Sequence, residues 1–162
     1  EHKEIGYNYR MSNICAGIGR GQMETLPAYV KKRREIYKRY KEALADLPVR
    51  FNPVIPGAEP NFWLTVMVIE EGCGISPTAV AEALAAENIE TRPFWKPMHM
   101  QPVYRSRRFF SRRNPAGEEL FARGLCLPSG TAMDERVQDR IIDIIRSCFM
   151  QGRSYVKTGV GL

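Results

Sequence analysis

The chain has no long apolar run: nothing in its 162 residues approaches the roughly 18 consecutive apolar residues of a membrane span. The charged start offers no apolar region of a signal peptide, so the sequence reads as cytoplasmic. Histidine is scarce, with His2 and His99 alone. The four cysteines, Cys15, Cys73, Cys126 and Cys148, stand far apart. They match neither Cys-x-x-Cys spacing nor a His-completed zinc pattern, so they read as reduced thiols and no metal site is expected. There is no internal repeat and no initiating Met. The opening at Gly6-Tyr-Asn-Tyr-Arg-Met-Ser reads as mid-phrase, with residues missing upstream.

What is present is ordinary for a soluble globular protein, at 44% hydrophobic and 26% charged, and the length fits one domain. A net charge of +6 would attract nucleic acid or a phosphorylated ligand, and charge alone does not choose between them. The costliest side chains gather in Glu90 to Tyr104. Pro93, Pro97 and Pro102 remove backbone donors and push their predecessors towards extended geometry, which predicts a stiff, extended loop. On it Arg92, Trp95, Lys96 and His99 offer two cations, a stacking face and a side chain that titrates near neutrality. That set suits an anionic, partly apolar ligand, or equally a surface loop with buried aromatics.

Ahead of this loop, Ser12 is placed to cap a helix in which Ile14, Ile18 and Met23 recur loosely. Gly17 and Gly21 on one helix face imply close approach of another backbone, since each glycine costs about 1 kcal/mol relative to alanine. Gly17, Gly19 and Gly21 do not form a dinucleotide fingerprint, because no strand precedes them and the spacing is wrong. Pro27 is expected to kink the helix or start a second one, continuing to Leu47 with Val30, Tyr37, Tyr40, Leu44 and Leu47 on one stripe. The run from Lys31 to Lys41 reads as a solvated basic helix face.

Val49 to Phe51 is expected as a short strand and Phe62 to Ile69 as the middle of the sheet, covered on both sides. Ser76 and Pro77 open a helix that runs through Val80 and Leu84 to Glu87 and closes at Asn88. Ile89 to Arg92 is a short strand. Arg105 to Arg113, with Phe109 and Phe110, could grip phosphates or stack bases, and is read as a mobile basic loop at the mouth of a site. Ala116 to Arg123 should be a helix ended by Gly124, and Leu125 to Leu127 a buried strand stopped by Pro128. The last helix should begin near Asp134 and present Val137, Ile141, Ile144, Ile145 and Cys148 to the core. These elements predict an α+β fold: long N-terminal helices and a small mixed or antiparallel sheet packed with helices. Residues 1–47 form a linking segment, 48–150 a small α+β domain and 151–162 a disordered tail.

Three stretches, Gly6-Tyr-Asn-Tyr-Arg-Met-Ser-Asn13 running into Gly21-Gln-Met-Glu24, Arg92-Pro-Phe-Trp-Lys-Pro-Met-His99 and Gly124-Leu-Cys-Leu-Pro-Ser-Gly130, are similar in order and spacing to a known pattern. Together they resemble the C-terminal part of the DegT/StrS family of pyridoxal-phosphate-dependent nucleotide-sugar aminotransferases. The loop variant resembles enzymes that aminate 4-keto-6-deoxy sugars carried on UDP or GDP. The resemblance implies a fold-type I aminotransferase whose large domain holds pyridoxal 5'-phosphate on a lysine and whose small domain closes over it. The sequence is similar to the small domain with its linking helix. The Schiff-base lysine has no match here, so no residue of this chain is expected to be catalytic and the chain alone is expected to be inert.

By position, Asn8 resembles the asparagine that reaches across a homodimer to the cofactor phosphate. Arg10 either stiffens that turn or meets the substrate, or else pairs with a carboxylate at the helix start. Trp95, Lys96 and His99 resemble residues lining the sugar-nucleotide side, with His99 hydrogen-bonding the hexose or a phosphate. The implied partners are a nucleotide-linked keto sugar, an amino donor such as glutamate, the large cofactor-binding domain and a second subunit. The competing reading is a non-catalytic basic binding or regulatory module.

Overall fold

A computed structural model of the chain describes residues 3–111 and 115–158, the side chains of 151–158 excepted. Among the described residues there are four α-helices and four strands: α1 (Asn13–Ala43), β1 (Val49–Phe51), β2 (Thr65–Ile69), α2 (Pro77–Ala86), β3 (Arg92–Pro93), α3 (Ala116–Arg123), β4 (Gly124–Leu127) and α4 (Glu135–Thr158). The strands form one sheet in the order β1-β2-β4-β3, every pair antiparallel. This is the α+β fold expected, with the sheet purely antiparallel.

β2 and β4 lie inside the sheet and are buried on both faces. Alternation along each strand sends Met67, Ile69, Leu125 and Leu127 to a face packed with Ile36, Tyr40 and Leu44 of α1, Val80 and Leu84 of α2, and Ile141, Ile145 and Phe149 of α4. Val66, Val68 and Cys126 take the opposite face, with Phe94 and Leu120 against them. Each such buried side chain contributes roughly 1.5–3 kcal/mol.

The helix starts follow the capping residues. Ser12 Oγ accepts from the Cys15 N–H at 3.2 Å and Ser76 Oγ from the Ala79 N–H at 3.1 Å. Asp134 Oδ1 accepts from the Val137 N–H at 2.8 Å. Asn88, at φ 58, closes α2 in the left-handed region that asparagine tolerates.

Several boundaries differ from expectation. α1 is one helix through Pro27 and starts no second one. The residues around Pro27 are exposed, so the carbonyl that the missing N–H leaves without an intrahelical partner is open to solvent. It also stops at Ala43 rather than Leu47, where Arg146 Nη1 donates to the Ala43 carbonyl at 2.7 Å and caps one of the unpaired acceptors. Val30 and Leu47 are only partly buried and Ile36 joins the core instead. β2 begins at Thr65, because Phe62 adopts φ 46 and breaks the extended run. The strand expected from Ile89 is confined to Arg92–Pro93, where the ladder to Cys126 and Leu125 begins. α4 turns its core stripe slightly: Val137 is 46% exposed, while Gln138, Ile142 and Phe149 are buried. Gln138 Nε2 donates to the Ile36 carbonyl at 2.8 Å, tying α4 to α1. The helix also continues to Thr158, past the disordered tail expected from 151, since propagating an existing helix costs little. Residues 159–162 of that tail lie outside the described residues.

Candidate functional site

Pro93 sits on the edge strand β3, the place in a sheet where a missing N–H is harmless. The Phe94 N–H still reaches the Gly124 carbonyl at 3.3 Å. Gly124 has an ordinary extended φ of −93, so its role is not the left-handed helix stop that its position suggested. Instead it admits close approach: a Cβ there would lie 2.4 Å from the Leu120 carbonyl oxygen and 3.1 Å from Phe94 Cβ.

Beyond Phe94 the loop is not uniformly extended. Met98–Met100 and Pro102–Tyr104 form single 3₁₀ turns, because proline's fixed φ at the head of a turn is prearranged for helical geometry. The first turn delivers His99 to α3, where Glu118 Oε1 accepts from Nε2 at 2.7 Å. Phe109 stacks on the imidazole with centroids 3.7 Å apart and planes 20° apart. Nδ1, the second ring nitrogen, is a further hydrogen-bonding group of the imidazole. Met98, His99, Tyr104, Arg107, Arg108 and Phe109 line a recess of about 360 Å³ here. Neither Arg107 nor Arg108 has a carboxylate partner among the described residues. Arg112 and Arg113, the rest of the expected basic loop, lie outside them.

The other loop residues divide. Arg92 is paired with Glu90 on the surface and is not a free cation. Lys96 places its ammonium 5.9 Å from the centre of the Phe121 ring on α3. Trp95 is 57% exposed and meets Trp63, also 57% exposed, with ring centroids 5.8 Å apart. Trp63 and Glu118 were not singled out from the sequence, and Phe109 was read there as part of the basic loop rather than as a partner of His99. Alternation gave no signal for Trp63, because the strand was read as covered on both sides and the reversal at Phe62 that turns Trp63 outward is set by tertiary contacts. Nothing in the sequence pairs Glu118 with a histidine 19 residues away.

Asn8 and Arg10 form a separate group. Asn8 is exposed, and its Oδ1 accepts the Arg10 N–H at 3.0 Å, a local turn that leaves the amide's two donors free. The Arg10 guanidinium has no carboxylate partner among the described residues. These donors fit one end of a phosphorylated cofactor, the phosphate, and no more of it. They sit before α1, whose 31 residues span about 46 Å, and no contact among the described residues joins them to the loop.

The basic face of α1 is partly structural rather than simply solvated. Arg33 Nη1 donates to the Trp63 carbonyl at 2.9 Å, Arg34 Nε to the Pro60 carbonyl at 3.0 Å, and Arg39 Nη2 to Asp139 at 2.7 Å. The thiols are all free, and burial pushes those of Cys126 and Cys148 up. Among the described residues no helix is long and apolar enough to cross a membrane.

With this geometry in hand, comparison with known proteins decides the family. The DegT/DnrJ/EryC1/StrS aminotransferase family model matches residues 1–146. The chain belongs to that family. It is 46% identical over 152 residues to a Bacillus subtilis (strain 168) protein named as a pyridoxal phosphate-dependent aminotransferase, EpsN, covering 92% of this chain and 39% of that one. It is 31% identical over 152 residues to a GDP-perosamine synthase of Vibrio cholerae, covering 91% of this chain and 40% of the relative. Among solved structures it is similar to DesI crystallised with its TDP-sugar product, at a TM-score of 0.79 and 31% identity over 91% of this chain and 38% of that one. The chain thus spans about two fifths of the length of the curated relatives it matches. Members of this DegT/StrS family are pyridoxal-phosphate-dependent aminotransferases, and solved neighbours include cofactor-bound forms.

Proposed function

We propose that this chain supplies the small-domain part of an aminotransferase that moves an amino group, from a donor such as glutamate, onto a nucleotide-linked 4-keto-6-deoxy sugar. We further propose that it works within a homodimer and is inert without a large cofactor-binding domain. The observation that carries this reading is the basic recess beside His99, on a loop whose relatives include a GDP-perosamine synthase and a protein crystallised with a TDP-sugar. A nucleotide-linked sugar brings a diphosphate, a hexose and a base. The recess offers an acceptor or donor on His99 and two guanidiniums that suit phosphate oxygens bidentately.

The roles follow from the chemistry of each group. Glu118 and Phe109 hold the His99 ring from two sides, so that Nδ1 meets a hexose hydroxyl or a phosphate oxygen without reorienting. Arg107 and Arg108 take the negative charge, with Lys96 beside them on the loop. Asn8 donates its amide to the cofactor phosphate across the subunit boundary, and Arg10 stiffens that turn or meets the substrate. Pyridoxal phosphate, when bound, supplies the carbonyl chemistry that carries the amino group between donor and acceptor.

The test uses the complete enzyme, supplied with pyridoxal phosphate, glutamate and a GDP- or UDP-linked 4-keto-6-deoxy hexose. Amination of the sugar, detected by mass, is expected. His99→Ala should raise KM for the sugar by about tenfold, the worth of one lost charge-assisted hydrogen bond. Absence of amination with every such sugar overturns the reading. The 162-residue chain alone, mixed with pyridoxal phosphate and borohydride, should yield no adduct confined to one lysine.

A further inference from the structure

Trp63 belongs to none of the groups above, yet the fold goes to some length to display it. We infer that Trp63 and Trp95 together form an aromatic platform on which the base of the nucleotide-linked substrate stacks, which makes Trp63 a substrate-binding residue. This rests on the reading of the chain as part of a nucleotide-sugar enzyme.

Three observations point the same way. First, both indoles are 57% exposed although they touch, with centroids 5.8 Å and planes 32° apart. Tryptophans that serve only packing are mostly buried. Two in contact at the surface leave a broad apolar face uncovered.

Second, the backbone leading to Trp63 is strained. Phe62, a bulky residue, stands at φ 46, a conformation that persists only when the surroundings impose it and that clusters at functional sites. The surroundings do impose it here. Phe62 is buried in a stack on Tyr37, centroids 3.8 Å apart and planes 15° apart. Arg34 donates to the Pro60 carbonyl at 3.0 Å, Asn61 Oδ1 accepts the Trp63 N–H at 3.1 Å, and Arg33 donates to the Trp63 carbonyl at 2.9 Å. The result is a reversal that turns Phe62 inward and Trp63 outward just before β2.

Third, the partner is held as firmly. Phe94 packs against Val66, Val68 and Cys126 and meets Trp95 edge to face, centroids 5.4 Å apart and planes 80° apart. Its N–H is bonded to Gly124, and Pro93 and Pro97 flank the pair. The two indoles therefore come from separate segments of the chain, the approach to β2 and the exit from β3, and each is set in a rigid mount.

A rigid, apolar, exposed aromatic face binds a flat π-system with little loss of entropy, and every nucleobase offers one. A hexose would need hydrogen-bonding groups around the rings. Around Trp95, Pro93, Phe94 and Pro97 bring no polar side chain and Lys96 directs its ammonium to Phe121, while the polar side chains at Trp63, Asn61 and Arg33, bond its backbone. The anionic and hydroxylated parts of such a substrate suit the recess at His99, further along the same loop.

The experiment uses the complete enzyme and measures affinity for GDP, UDP, inorganic pyrophosphate and a hexose 1-phosphate by calorimetry, with indole fluorescence as a second signal. Trp63→Leu keeps apolar bulk without a π face, and Trp63→Phe restores a smaller one. Expected for Trp63→Leu is about ten- to a hundredfold weaker binding of GDP and UDP, the worth of one stacked base, with pyrophosphate affinity changed less than about threefold. Trp63→Phe should recover most of the loss, and GDP should quench indole fluorescence in the unaltered enzyme. Unchanged GDP and UDP affinity in both Trp63→Leu and Trp95→Leu, each with the native circular-dichroism spectrum, overturns the inference. So does an equal loss for hexose 1-phosphate, which would assign the platform to the sugar. Amination by the unaltered enzyme is scored separately, so failure of the aminotransferase reading is distinct from failure of the platform.

Discussion

The two halves of α1 obey the same sequence rules and meet different fates. Over residues 29–43 the apolar stripe finds the sheet and α4, so that Ile36, Tyr37 and Tyr40 are buried. Over residues 13–28 Ile14, Ile18, Met23 and Leu26 recur in a comparable way, yet all four are exposed. A Cβ placed on Gly17, Gly19 or Gly21 would meet nothing within 4 Å. Helical periodicity therefore signals that a residue can be buried against something, and a structure must show whether that something is in the same chain. Small residues on one helix face say the same of backbone approach, and the described residues hold no backbone that approaches them.

Substitutions test this contrast, read by urea unfolding of the 162-residue chain. Ile141→Ala, opposite the buried half of α1, should cost about 2–5 kcal/mol, whereas Ile18→Ala should stay within about 0.5 kcal/mol of the parent. Comparable costs for the two would show that the projecting half is packed in solution. Gly124→Ala must push a Cβ into the Leu120 carbonyl and should cost about 1–3 kcal/mol.

Tyr40→Phe comes next. Tyr40 donates to the Pro128 carbonyl at 3.2 Å, and losing that bond leaves a part-buried acceptor bare, at a cost of about 1–3 kcal/mol. The same residue sets a pH dependence. Burial holds its phenol well above the usual tyrosine value, and Tyr37 shifts the same way. An unfolded tyrosine ionises near about pH 10 while the folded one keeps its proton. The folded state then binds more protons, so stability is whole below about pH 10 and falls as pH rises above it. Tyr40→Phe should flatten that fall in alkaline melts.

Gly21→Ala should stabilise this chain by about 1 kcal/mol, because it gains helix propensity and meets no neighbour. If the same change lowers activity in the complete enzyme, the glycine face is occupied there. The smallest effect is expected at Thr65, whose buried hydroxyl has no hydrogen-bond partner among the described residues. Thr65→Val should be neutral or stabilising by less than about 1 kcal/mol, checked by the shift in unfolding midpoint.

Local chemistry was legible where it decides the outcome alone. Ser12, Ser76 and Asp134 start their helices because a short oxygen-bearing side chain satisfies an N–H that has no other partner. Val49–Phe51 and Ala116–Arg123 stand where composition put them. Gly124 was placed correctly for a different reason, since the close approach of Phe94 and Leu120 cannot be read from spacing. Of the site, Trp95, Lys96 and His99 were legible as a group because prolines isolate them, but their partners came from elsewhere. Trp63 reaches Trp95 from the approach to β2, Glu118 reaches His99 from α3, and Phe121 takes the Lys96 ammonium. The resemblance gave Asn8 to the cofactor phosphate across a subunit boundary and the loop residues to the sugar-nucleotide side, and in this chain the two groups lie apart, with Asn8 and Arg10 ahead of α1.

The α+β class, the helix starts, a doubly covered strand ending at Ile69 and the family could be read from the chain, because caps, periodicity and motif order act over a few residues. Long-range packing set which half of a 31-residue helix is buried, that Arg146 meets its last carbonyl, and which rings and carboxylates face the proline-braced loop. Those outcomes depend on contacts between residues tens of positions apart, and a side chain's type says what it can bond to without saying what will be there.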